Sequence, residues 1–169
     1  LYLKENPLFI GEYHQAFKNS FLMADFGYTQ GYKKTTVKKK AGEKSHFFSK
    51  FSKEFVGKNN SKNLFEANLQ EVSNDKYLKL YKIKSNLVDF NSNTLDNSIS
   101  FTRENDDSYF GLNASIYESI SEDYNDKYEY IFPEITFDKN LLSDNKFGFL
   151  DYQTNIKFHN YDTNKTNKF

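Results

Sequence analysis

Residues 21–31, FLMADFGYTQG, place Leu22, Ala24, Phe26 and Tyr28 on one side of an extended chain. Met23, Asp25, Gly27 and Thr29 fall on the other side. A side-chain period of two is that of a β-strand with one apolar and one polar face. The same alternation recurs along the chain and predicts eight strands, near residues 8–17, 20–31, 45–56, 63–73, 94–104, 108–120, 127–138 and 146–160. In the third, Phe47, Phe51 and Phe55 oppose His46, Lys50, Ser52 and Glu54, and Phe48 breaks the pattern. The fourth sets Phe65, Ala67 and Leu69 against Glu66, Asn68 and Gln70. The fifth sets Leu95, Ile99 and Phe101 against Asp96, Ser98, Ser100 and Thr102. The sixth sets Phe110, Leu112, Ala114 and Ile116 against Gly111, Asn113 and Ser115. The eighth sets Leu150, Tyr152, Ile156 and Phe158 against Asp151, Gln153, Asn155 and Lys157. No long window shows a helical period, and NDKYLKLYKI (74–83) reads equally as a short strand or a helical turn.

The connections alternate in length. Short turns (KNS, GKNNSK, END, NLLSDN) follow strands 1, 3, 5 and 7. Longer stretches, including YKKTTVKKKAGEK and some twenty residues around NDKYLKLYKIKSNLVDFNSN, follow strands 2, 4 and 6. In an up-and-down meander all the short connections then lie at one end and all the longer ones at the other. That asymmetry is characteristic of outer-membrane barrels. The expected fold is therefore all-β: an antiparallel up-and-down meander, read as a segment of a transmembrane β-barrel spanning 1–169. The row Leu22, Ala24, Phe26, Tyr28 is expected to face lipid, and Asp25 with its neighbours a wet interior.

Composition sharpens this picture. Only 37% of the 169 residues are hydrophobic, mean hydropathy is −0.82, and aromatics reach 18%, with 18 Phe, 13 Tyr and no Trp. A β-sandwich fills its core mainly with Val, Ile and Leu, whereas a barrel wall needs one apolar side per strand and aromatic margins. Net charge is zero, which gives no global pull toward nucleic acid. There is no cysteine, so disulfides and thiolate metal sites are excluded. No run approaches a membrane helix in length. The chain begins at Leu1 without a signal peptide, and an exported protein should carry one, so an internal fragment is expected.

In the middle of the chain, ANLQEVSNDKYLKLYKI precedes SNTLDNSISFTRENDDSYFGLNASIYESI and YEYIFPEITFDKN. Asp75, Tyr77, Leu78 and Tyr81, then Tyr109, Phe110 and Ala114, then Pro133, Ile135 and Phe137 follow an order that resembles the barrel of the lipopolysaccharide-assembly outer-membrane protein family (LptD, organic solvent tolerance protein). The resemblance covers roughly 45–160. It implies an early part of a large barrel, without the family's amino-terminal jellyroll and closing strands. It also implies delivery of lipopolysaccharide to the outer leaflet of the cell outer membrane, a plug lipoprotein of the LptE type and a periplasmic LptA-type bridge.

Candidate chemistry is sparse. His14, His46 and His159 lie on different strands without ligand spacing, and no metal site, cofactor or catalytic residue is expected. No P-loop, Gly-x-Gly-x-x-Gly or Gly-x-Ser-x-Gly occurs, so the chain reads as no enzyme. Asp25 and Asp151 are each flanked by apolar residues and read as polar positions on the wet face, ahead of a catalytic role. Lys33, Lys34, Lys38, Lys39, Lys40 and Lys44 crowd one loop. They form either a solvated loop or a surface that meets lipopolysaccharide phosphates; nothing in the run suits nucleic acid. Pro133 suits a bulge or an edge. The alternative to lipopolysaccharide transport is a soluble, secreted β-sheet module that binds glycans through its many Tyr.

Overall fold

The computed structural model describes residues 5–34, 36, 41–121, 126–144 and 146–163. Eight strands form one sheet: β1 (Phe9–Ala16), β2 (Ser20–Gly31), β3 (Ala41–Val56), β4 (Lys62–Val72), β5 (Thr94–Glu104), β6 (Ser108–Ser119), β7 (Asp126–Asp144) and β8 (Gly148–Thr163). They are antiparallel and lie in strict chain order. The alternation thus located all eight strands. β7 and the β7–β8 turn are displaced: β7 runs through NLLSD, which the sequence reads as a turn, to Asp144. Pro133 sits where β7 slips register against both neighbours, in the bulge that a residue without an N–H requires.

The expectation of a transmembrane β-barrel segment is corrected. The sheet is open: among the described residues β1 pairs only with β2 and β8 only with β7, which leaves two edges. The sorting of short and long connections does not discriminate. Any up-and-down meander sends alternate connections to opposite ends, whether or not its first and last strands meet.

Register carries the alternation across the whole sheet. One ladder row runs Leu22–Phe51–Ala67–Ile99–Ala114. The next runs Phe65–Phe101–Leu112–Ile135–Ile156. The opposite face carries Ser52–Glu66–Ser100–Asn113–Glu134–Lys157. Among the described residues no second layer seals the apolar face: Phe26, Leu69, Leu112 and Ile156 are all exposed.

What is buried lies elsewhere. The ambiguous segment after β4 forms a short helix, α1 (Tyr77–Tyr81), closed by Lys82 in the left-handed conformation (φ 48°). The stretch 73–93 that carries α1 supplies Tyr77, Leu78, Ile83 and Val88 to a cluster with Phe48, Leu95 and Ile120. Phe48 stands opposite Asp25 in the ladder, on the polar side of the sheet. Its break in the pattern of β3 therefore has a cause: it is the sheet's apolar contribution to the cover. Leu95 lies beyond the last β4–β5 ladder pair, Asn68↔Ser98, and joins this cluster rather than the exposed row. Past that pair the Asn97 side chain bonds the Gln70 backbone instead, accepting from its N–H at 2.7 Å and donating to its carbonyl at 3.1 Å.

Leu78→Ala should therefore cost about 2–5 kcal/mol, the range for emptying a packed site. Ile156→Ala, on the open face, should shift stability by about 0.5 kcal/mol or less. Equilibrium urea unfolding of the two variants measures the contrast.

Candidate functional site

Two features of the sheet carry chemistry: a buried polar cluster on one face and the bare apolar band on the other.

The cluster begins with the alternation of β2 and β3. Asp25, Gly27 and Thr29 point to the covered face, as do Lys44, His46 and Phe48 on the neighbouring strand. Gly27 stands opposite His46. A Cβ on Gly27 would overlap the His46 ring and lie 2.9 Å from the Tyr77 hydroxyl, so glycine leaves the space that both rings fill. Asp25 and His46 are buried and Tyr77 is completely so. His46 Nε2 lies 3.0 Å from Asp25 Oδ1, and His46 Nδ1 lies 3.2 Å from the Tyr77 hydroxyl. An ionised carboxylate only accepts, so with a neutral ring Nε2–H donates to Asp25 and Nδ1 accepts from the Tyr77 O–H. The imidazole also stacks on Phe48 at 4.7 Å between ring centroids.

This chain of bonds ties the 73–93 stretch to the sheet. Ser73 adds two more bonds, its N–H to the Ser45 carbonyl at 3.0 Å and its Oγ accepting from Ser45 N–H at 2.8 Å. Lys127 reaches both Asp75 and Glu118 at 3.0 Å. Burial pulls its ammonium down, but hydrogen bonds and charge from the two carboxylates outweigh this and hold it above the ordinary lysine value. Asn86 donates to Glu12 of β1 at 2.8 Å. Burial, with Tyr81 and Asp25 nearby, pushes the Tyr77 hydroxyl up to about 12. All three groups are buried and bonded to one another, so the arrangement ties the covering stretch to the sheet.

Sequence reasoning passed over this cluster. Ligand spacing is the one test a sequence offers for His14, His46 and His159, and His14 and His159 lie apart, each beside one carboxylate (Glu12 at 2.7 Å, Glu129 at 2.6 Å). Among the described residues no group of three or more His, Cys, Asp or Glu could hold a metal ion. The one legible signal was Phe48 beside His46 on a polar face.

The lysine run does not stay together. Lys33 and Lys34 are exposed, whereas Lys44 is buried, with its amino group 3.3 Å from the Gly42 carbonyl. Lys38, Lys39 and Lys40 lie outside the described residues. Asp25 is buried against His46 rather than solvated, and Asp151 is exposed and accepts a hydrogen bond from Asn140 at 2.8 Å.

The apolar band is the larger feature. From β2 to β6 the first row, and from β4 to β8 the second, contain only Phe, Leu, Ile and Ala, while Gln15 on β1 and Lys53 on β3 continue them. Tyrosines enter at its margins. Tyr28, Tyr128 and Tyr130 lie toward the long connections, and Tyr152 lies toward the short turns. Two of them hold their hydroxyls on carboxylates, Tyr28 on Glu43 at 3.0 Å and Tyr128 on Glu118 at 3.5 Å. From β2 to β8 the band crosses six inter-strand gaps, roughly 29 Å, and extends roughly 20 Å along the strands. That is comparable to the largest apolar patch on an ordinary monomer, about 300–600 Å² and often functional.

No family model matches the chain, and no curated protein matches it. The resemblance to the lipopolysaccharide-assembly family is therefore corrected: the quoted residues are placements on strands and on α1 that a general alternation and one covering loop produce. The role in lipopolysaccharide transport and outer-membrane biogenesis falls with it, because it rested on that family and on a barrel wall, and the sheet is open.

Removing His46 should leave Asp25 buried without its partner, and His46→Ala should cost about 3–5 kcal/mol in urea unfolding. Tyr77→Phe should cost about 1–3 kcal/mol, since Nδ1 loses its donor. The raised Tyr77 value fixes a sign for pH. The folded state favours the neutral phenol, so its contribution is whole below pH 10 and is lost as pH rises toward about 12. Stability measured from pH 9 to 12 should fall more steeply in the parent than in Tyr77→Phe.

Proposed function

We propose that this chain is a lipid-contacting module whose apolar sheet face lies against the hydrocarbon of a membrane, with no covalent chemistry of its own. The observation that supports this reading is the exposed band centred on Phe, Leu, Ile and Ala, with Tyr28, Tyr128, Tyr130 and Tyr152 toward its ends. An aromatic ring with a polar tip suits a boundary between hydrocarbon and water, because one end is apolar and the other is hydrated. Tyr28 and Tyr128 meet that requirement, with rings at the band and hydroxyls on carboxylates. The opposite face suits water. Its central row is Ser, Glu, Ser, Asn, Glu and Lys, partly satisfied within itself: Asn113 donates to Ser115 at 3.0 Å and to Glu134 at 3.2 Å. Asn68 donates to Ser98 at 3.1 Å on the same face.

The energetics favour an apolar environment. Covering a half-exposed Leu, Ile or Phe contributes on the order of 25 cal/mol per Å² removed from water. Across the band this is far more than isolated surface hydrophobes supply.

The chain contains no Trp, so a single introduced one reports its own surroundings. Phe101→Trp and Leu112→Trp, on the band, should be quenched by phosphatidylcholine vesicles brominated along the acyl chains. Ser100→Trp, on the opposite face, should be quenched several-fold less. Equal quenching of both faces, or none, overturns the reading. A blue-shifted band Trp that vesicles leave unquenched identifies a second protein layer as the true cover.

A further inference from the structure

The two sheet edges differ. β1 spans 8 residues, whereas β8 spans 16. β1 receives the Asn86–Glu12 contact from the covering stretch, and just before it Glu5 bridges to Tyr32. β8 pairs with β7 on one side and with nothing on the other among the described residues. It contains no proline, and a long edge strand presents a row of N–H and C=O groups that can template another strand. Its apolar residues continue the band to this edge, where Leu150, Tyr152, Ile156 and Phe158 are all exposed.

The sequence of β8 complements itself. Laid antiparallel to a second β8 about a two-fold axis at Thr154, it sets Asp151 opposite Lys157, once on each side of the axis. The same register sets Tyr152 opposite Ile156 and Leu150 opposite Phe158 on the apolar face. On the polar face it sets Gln153 opposite Asn155. Moving the axis by one residue loses both charge pairs: Asp151 then meets Asn155 or His159. Opposite charges directly across an antiparallel pair attract, and like charges there repel. The two groups keep lateral partners within their own sheet, Asp151 with Asn140 and Lys157 with Glu134 at 3.8 Å. Each has further capacity: a carboxylate has two oxygens and an ammonium three donors.

We propose that two copies of this chain join edge to edge through β8, antiparallel about Thr154, and make one continuous sheet with one continuous apolar face. The interface is isologous, as a two-fold dimer requires. It leaves the band uncovered, and so does not depend on what the band contacts.

The chain has no cysteine, so Thr154→Cys introduces a unique thiol at the axis. Cross-strand neighbours lie about 4.5–5.5 Å apart between Cα atoms, within disulfide range. The experiment uses the full chain in a mild non-ionic detergent, which covers the apolar faces and suppresses face-to-face association. Under mild oxidation T154C should form a covalent dimer on a non-reducing gel, and Gln15→Cys on β1 should not. Adding Asp151→Lys or Lys157→Asp to T154C should slow dimer formation roughly tenfold, since each replaces two attractions by two repulsions. Adding both should restore it, because the pairs re-form with their signs exchanged. Far-UV circular dichroism confirms that each variant retains its sheet. Cross-linking of T154C no faster than Q15C overturns the proposal, as does a mixed T154C–Q15C product or failure of the double charge exchange to rescue.

Discussion

An unbroken antiparallel backbone ladder, from β1 to β8 in chain order, is the constraint on which the rest of this structure depends. Once each strand pairs with its sequence neighbour, the period of two in each strand becomes a period of two across the whole sheet. Eight local alternations then add into two faces of opposite character. The ladder also makes the fold tolerant of local faults. The bulge at Pro133 costs β7 its register for a few residues, yet Ile135 still meets Leu112 on one side and Ile156 on the other.

The covering stretch 73–93 inverts the usual economy of such a sheet. The enclosed core lies against the polar face, and the apolar face stays bare. Holding an apolar loop over Asp25, Lys44 and His46 is possible because the polar groups satisfy one another. His46 joins the Asp25 carboxylate to the Tyr77 hydroxyl, and Phe48 supplies apolar area beside the ring. Gly27 is small enough to leave room for both rings. The result explains a low aliphatic content in a chain of this length: only one corner of the sheet has a core to fill.

The same division orders the functional readings. A buried Asp–His–Tyr chain anchors a loop, whereas an uncovered apolar band needs a partner phase. An edge strand with self-complementary charge needs a partner strand. These demands fall on different surfaces, so lipid against the face and a second copy along β8 can be met together. Charged residues are few on this face: Lys53 continues one central row on β3, Arg103 stands in the next row, and Glu71 and Glu118 lie toward the long connections.

Strand number, strand order and the membership of each face, Leu95 excepted, were legible from the chain alone, because they follow from short-range periodicity and short turns. Leu22, Phe51, Leu69, Phe101, Leu112 and Ile156 share a face for a reason written in each strand separately. Closure was not legible. Whether a first strand meets a last one depends on accumulated twist and strand number, not on any local pattern, and loop sorting is the same in open and closed meanders. The buried cluster was hidden for the same kind of reason. Asp25, His46 and Tyr77 are separated by 21 and 31 positions, and nothing local says that α1 folds back onto β2 and β3. Only tertiary structure could decide it, since it rests on fit between a loop and a sheet face, with Phe48 as the single residue whose misplaced hydrophobicity announced it.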